Sequence, residues 1–175
     1  PPFGGVADPT VIPPMPAFGE GERLMVTGST HDAQGYRKVQ HPDVHDEAVH
    51  RLRHKILDRR DEIVRVHRHE LDDAEIAVVA YGFTARAALR AVRVLRGQGR
   101  KVGLLRLETL WPFPRREIEE LPASVKTVFV PEMNWEQVAS QIQRYSDREI
   151  VTYGQTNGEV IEAHTIVEKI EALHG

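Results

Sequence analysis

Apolar positions along the 175-residue chain change their period part-way, and the change separates two kinds of element. Val44, Ala48, Leu52 and Ile56 recur every four residues, and Ile63 and Val66 continue the stripe. That spacing predicts one amphipathic helix of about six turns. Beyond it the stripe gives way to short continuous apolar runs at Glu75 to Ala80, Val102 to Leu107, Thr127 to Val130 and Glu149 to Tyr153. Runs of that length suit strands buried on both faces. A helical pattern follows each run. The first carries Ala88, Leu89, Val92 and Leu95, with Thr84 as its expected cap and Gly97 and Gly99 as its stop. The others are expected at Arg115 to Leu121, at Trp135 to Tyr145, and in a last helix ending near Leu173. Strand and helix in alternation imply right-handed crossovers, hence an α/β fold: a three-layer αβα sandwich with a mostly parallel sheet.

The amino-terminal part reads differently. Seven of the eleven prolines (Pro1, Pro2, Pro9, Pro13, Pro14, Pro16 and Pro42) fall in residues 1–42, with no sustained apolar period. Such composition favours extended and turn backbone. The expected organisation is an irregular proline-rich connecting arm at 1–42, with a short strand at Arg23 to Thr27, a connecting amphipathic helix at 43–71, and an α/β domain at 72–175. A start without methionine inside this stretch reads as the boundary of a longer polypeptide or a processed terminus.

Composition removes several function classes. With 23 Lys and Arg against 26 Asp and Glu, the chain lacks the basic footprint that nucleic acid or an anionic membrane requires. It holds no cysteine, which excludes a disulfide, a thiol nucleophile and cysteine ligation of an iron–sulfur cluster by this chain, and which fits a reducing compartment. His50 and His54 are spaced for one helix face, but His45 falls out of register and no cysteine or well-spaced carboxylate completes a metal site, so a solvated face is expected. No nucleophile elbow, Walker sequence or H-E-x-x-H is present.

In an open parallel sheet, ligands and partners meet the loops at the carboxyl ends of the strands. In the first loop, Gly82, Thr84 and Arg86 combine a helix start with a cation, a candidate anion site; a simple strand-to-helix turn is the other reading. In the second, Trp111-Pro112-Phe113-Pro114 sets two aromatics between prolines, either as a stiff apolar projection for another chain or as a loop folded over its own core. In the third, Glu132 and Asn134 are polar candidates for the same docking surface, and Asn134 also suits the N-cap of the next helix. The surface expected to dock is therefore Trp111, Pro112, Phe113, Glu132 and Asn134, at the ends of strands taken as adjacent.

The runs Val79 to Arg86, Val102 to Pro114 and Val130 to Asn134, preceded by Pro14 to Gly19 and Thr27 to Tyr36, together resemble the carboxy-terminal domain of 2-oxoacid:ferredoxin oxidoreductase alpha subunits, the 2-oxoglutarate branch most of all. The resemblance implies a transketolase carboxy-terminal-domain-like fold, in which a T-L-x-P sequence follows the second strand as Thr109 to Pro112 does here. It implies a complete enzyme that decarboxylates a 2-oxoacid on thiamine diphosphate with Mg, passes electrons through Fe–S clusters to ferredoxin, and transfers the acyl group to coenzyme A. The family's diphosphate-binding motif is absent, so no catalytic residue and no cofactor is assigned to this chain. The implied partners are the rest of the alpha subunit and the beta subunit, in the cytoplasm. The family would also place a proline shortly before the last helix, where this chain has Gly158 to Thr165. A reading of a different class is a stand-alone small-ligand or nucleotide-binding α/β module using Gly82 and Arg86.

Overall fold

The structure, a computed structural model, describes residues 16–21 and 28–174. The strand expected at 23–27 lies outside the described residues. The chain divides into two compact units, Pro1–Ile63 and Val64–Gly175.

In the first unit an isolated bridge pairs His31 with Arg37. The Asp32 carboxylate closes the intervening turn by accepting from the backbone N–H groups of Gln34 and Tyr36 at 3.0 and 2.9 Å. Helix α1, Pro42–Leu57, starts with proline where no amide donor is required, and α2 spans Arg60–Ile63. The expected six-turn helix is thus interrupted at Asp58 and Arg59, and Val66 leaves the helical stripe altogether. None of the residues of α1 is buried.

The second unit explains where Val66 goes. Strand β1, Val66–His69, pairs antiparallel with β3, Val102–Leu107, aligning Val66 with Leu107 and His69 with Leu104. Backbone hydrogen bonds along an otherwise open sheet edge outweigh the local helical period. The remaining pairs are parallel: β2 (Ile76–Tyr81) lies between β3 and β4 (Thr127–Glu132), and β5 (Glu149–Gly154) follows β4. The order is β1-β3-β2-β4-β5. All four strands expected from the apolar runs form, and β1 is an addition the runs did not announce.

Helices α3 (Gly82–Gly97) and α6 (Ala163–Glu171) cover one face of the sheet; α4 (Arg115–Glu119) and α5 (Gln137–Ile142) cover the other. On the first face Ala85, Ala88, Ala91, Val92 and Leu95 of α3 and Ile166 and Ile170 of α6 meet Ile76, Val78, Ala80 and Leu104. On the second, Ile118, Val138 and Ile142 meet Ala77, Val79, Leu105, Val128 and Val130. Alternation along each strand sends successive side chains to opposite faces, so both must be covered and the strands read as unbroken apolar runs. The result is the three-layer αβα sandwich. Thr84 is not the cap of α3: the helix begins at Gly82 after an extended Tyr81, and Thr84 is a buried residue of its first turn. The α5 segment is shorter than the 135–145 pattern because a strained loop, with Glu136 at φ +57°, occupies its start. At the end of the chain, α6 starts directly after Glu162.

Candidate functional site at the carboxyl ends of the strands

Adjacent strands β2 and β4 send their chains in opposite directions, β2 to α3 on one face and β4 to α5 on the other. That divergence makes the crevice where an open α/β sheet ordinarily receives a ligand. Here the protein's own side chains occupy it. Tyr81, the last residue of β2, donates from its hydroxyl to Glu132 Oε2 at 3.3 Å, and Asn134 Nδ2 donates to the same hydroxyl oxygen at 2.6 Å.

Glu132 is only 1% exposed, yet its carboxylate is fully engaged: Oε2 accepts from the N–H of Val138 and Oε1 from that of Ala139, both at 2.9 Å. Asn134 Oδ1 accepts from the N–H of Gln137 at 3.0 Å. The first three amides of α5, which no helical carbonyl can reach, are therefore satisfied from the strand end, while the N-cap residue Glu136 contributes no side-chain bond. Asn134 serves the helix start, as its residue type suggested, from two positions further out. A buried carboxylate is tolerated because it receives charge-assisted bonds and faces the positive end of the short helix. Glu132 consequently points into its own domain.

Tyr81 was not among the residues singled out from sequence, and it is the hinge of this arrangement. Burial, followed by the adjacent Glu132 charge, raises its phenol above the ordinary tyrosine range. Since the folded state holds the neutral phenol, the stability this confers is intact below the unfolded tyrosine value and is lost as pH rises through the higher folded value. In a phenolate absorbance titration of the folded chain, Tyr81 should ionise above the ordinary range, and Tyr81→Phe should remove that late step. An unchanged late step in the variant would contradict the assignment.

Trp111 sits after β3, on the far side of β2 from β4, so the two candidate loops end strands that are not adjacent, about 10 Å apart at ordinary strand spacing. The Trp111–Pro112 peptide bond is cis. Pro112 is buried, and Phe113 turns inward to stack on Tyr145 with ring centroids 5.7 Å apart. Trp111 alone stays outside, 66% exposed. The loop thus folds over its own core at Pro112 and Phe113 and leaves Trp111 in solvent. The loop is tied down where it leaves the sheet: Glu108 N–H donates to the Arg65 carbonyl at 3.0 Å and Arg65 N–H to Thr109 Oγ1 at 3.1 Å. Trp135, read from sequence as the end of the third strand-end loop and the start of the helix after it, is 82% exposed on the loop after β4.

Of the anion candidates, Gly82 takes the left-handed φ of +56° that the strand-to-helix turn demands. Arg86 lies over the Phe83 ring, 5.9 Å from its centroid, and both line an open groove of about 460 Å³ together with Val160 and Glu162. Among the described residues no group of three His, Cys, Asp or Glu is placed to hold a metal ion, and no helix is long and apolar enough to cross a membrane. His50 and His54 stack on α1 and pair with Asp46 and Asp58.

Comparison with known proteins places this geometry. The chain is 40% identical over 161 residues to the 2-oxoglutarate synthase subunit KorA of Methanothermobacter marburgensis, an alignment covering 91% of this chain and 43% of the relative. The KorA subunit of Methanocaldococcus jannaschii is 41% identical over 152 residues, covering 86% of this chain and 40% of that one. The chain therefore spans less than half the length of these curated relatives. Among solved structures, a 2-oxoglutarate:ferredoxin oxidoreductase from Magnetococcus marinus with 2-oxoglutarate, coenzyme A and succinyl-CoA bound shares the fold, with a TM-score of 0.78 at 22% identity over 96% of this chain and 30% of that one. A split-gene transketolase shares it more distantly, with a TM-score of 0.51 at 18% identity over 62% of this chain and 40% of that one. The family defined as pyruvate:ferredoxin oxidoreductase core domain II matches residues 74–166, more than half of the chain, from two residues before β2 into α6. This chain belongs to the pyruvate:ferredoxin oxidoreductase core domain II family.

Proposed function

We propose that this chain is the core domain II portion of the alpha subunit of a 2-oxoglutarate:ferredoxin oxidoreductase, and that its work is assembly and support of the catalytic parts. The observation that carries the reading is the 40% identity to a 2-oxoglutarate synthase subunit, sustained across 161 residues that include every strand-end loop. In the complete enzyme a 2-oxoacid would be decarboxylated on thiamine diphosphate, with electrons leaving to ferredoxin and the acyl group to coenzyme A. A cytoplasmic location belongs to the same reading.

The residues of this chain do not fit the cofactors. Iron–sulfur clusters are held by thiolates, and the chain has no cysteine. Thiamine diphosphate with Mg calls for free carboxylate or carbonyl oxygens beside a diphosphate cradle, and the buried carboxylate at the strand ends, Glu132, already serves two amides. No step of the reaction is assigned to this domain. Gly82, Thr84 and Arg86 shape the start of α3 in this reading; the Glu162 carboxylate lining the same groove as Arg86 opposes an incoming anion.

Docking is assigned to the carboxyl-end loops, with Trp111 as the contact to the beta subunit. Pro112 and Phe113 set its loop, and Glu132 and Asn134 set the neighbouring one. Trp111→Ala in the complete alpha subunit should weaken association with the beta subunit by about 2 kcal/mol, as loss of a buried aromatic anchor does, and should shift the stability of this domain by less than about 0.5 kcal/mol because the ring is exposed within it. Domain unfolding with intact assembly would make Trp111 a core residue. The functional reading itself is tested by co-expressing the complete alpha subunit with its beta partner. Ferredoxin reduction that depends on 2-oxoglutarate and coenzyme A is expected, and a complex active only on a branched 2-oxoacid, or no complex at all, would sink it.

A further inference from the structure

The loop between β4 and α5 is braced from every side and yet presents its largest side chain to solvent. Glu132 and Asn134 fasten it to α5 and to Tyr81 of β2. Glu136, held in the left-handed region, accepts from the Thr152 hydroxyl of β5 at 2.6 Å. Gly154 of β5 allows the Asn134 carbonyl to approach so closely that a Cβ there would lie 2.8 Å from it. Three strands and a helix thus immobilise five residues, and the product is Trp135, 82% exposed, beside a Met133 that is also exposed. Trp135 adds almost nothing to the core of its own domain. A rigid loop presenting an exposed indole has already met the ordering cost that a contact would otherwise impose, and indole is the side chain most suited to anchor one.

We infer that Met133 to Trp135 is a preorganised anchor that inserts into an apolar recess on the part of the alpha subunit lying outside this chain, with Glu132 as the positioning residue that holds it. The inference rests on the functional reading above and names the partner surface within it. The occupant follows from length: the alignments cover only 43 and 40% of the two relatives, so more than half of each of those subunits lies outside the region this chain matches and has to pack against something. A covalently attached segment meets the loop at high effective concentration, ahead of any separate chain. The loop also lies at the carboxyl ends of the strands, the side of such a sheet that receives partners.

Hydroxyl-radical footprinting read by mass spectrometry tests this on the complete alpha subunit, before and after the beta subunit is added. Trp135 should be oxidised about tenfold more slowly in the native alpha subunit alone than in the same subunit unfolded in urea. Oxidation near the unfolded rate overturns the proposal. So does protection that appears only with the beta subunit, or only as the concentration of the alpha subunit is raised, which would make the occupant the beta subunit or a second copy. Glu132→Gln should raise Trp135 oxidation several-fold while leaving Trp111 and the α6 peptides unchanged; an unmoved Trp135 rate removes Glu132 from the device. Failure of the functional reading is seen separately, as absent 2-oxoglutarate-dependent ferredoxin reduction, on the same preparation.

Discussion

Glu132→Ala should destabilise the second unit by about 3–5 kcal/mol, measured as a lowered urea midpoint at unchanged slope. The substitution removes a carboxylate that accepts from the Val138 and Ala139 amides and from the Tyr81 hydroxyl. Each bond to a charged group contributes about 1.5–3 kcal/mol, and the two amides left behind belong to the buried residues Val138 and Ala139. Glu132→Gln should cost less, because the amide oxygen still accepts one of the two backbone bonds while its NH₂ group is turned toward a donor. The order Ala worse than Gln is the informative part. Equal losses would mean that volume, and not hydrogen bonding, accounts for the residue, and a loss below about 1 kcal/mol for alanine would place the effect in the range of ordinary surface changes.

The second large effect is expected at a glycine with an ordinary backbone conformation. Gly103 is the second residue of β3, and a Cβ there would lie 2.5 Å from the Glu70 carbonyl oxygen and 2.8 Å from Leu71 Cδ2. The first neighbour is backbone and is unable to rotate away. Its turn is also clamped: Arg96 donates to the Glu70 carbonyl, to the Val102 carbonyl at 2.7 Å and to both oxygens of Asp73, and Glu70 itself is held at φ +52°. Leu71 is a buried member of the core cluster beneath it. Gly103→Ala should therefore cost about 2–3 kcal/mol through overpacking, even though alanine suits a strand better than glycine does. Gly97→Ala is the control, since a Cβ at Gly97 meets nothing within 4 Å. A Gly103→Ala protein as stable as the parent would show that the turn at Glu70 yields freely.

The strand runs were legible because a strand covered on both faces must be apolar at every position, and β2, β3 and β4 are covered that way by α3 and α6 on one side and α4 and α5 on the other. Strand β1 was not legible. His67 and Arg68 are polar and face solvent, and Val66 continued a helical spacing by coincidence, so only the free edge of β3 decided its conformation. The same distinction divides the candidate site. Trp111 and Asn134 were conspicuous as residue types on strand-end loops, whereas Tyr81, at the start of the first loop, and Trp135, where the third loop meets its helix, carried no signal of what their side chains do.

By itself the amino-acid sequence determined the α/β class, the four parallel strands and the absence of thiolate chemistry in this chain, because each of these follows from local periodicity or from residue type. Only the tertiary structure decided the strand order, which separates β3 from β4 by β2, and the directions of the side chains at the strand ends. Glu132 turns inward and Trp135 outward because Glu132 lies within reach of unpaired amides of α5, while Trp135 rides on a loop that those same bonds hold clear of the core. Such outcomes depend on which groups three separate strands bring within hydrogen-bonding distance, and no spacing along one chain encodes that meeting.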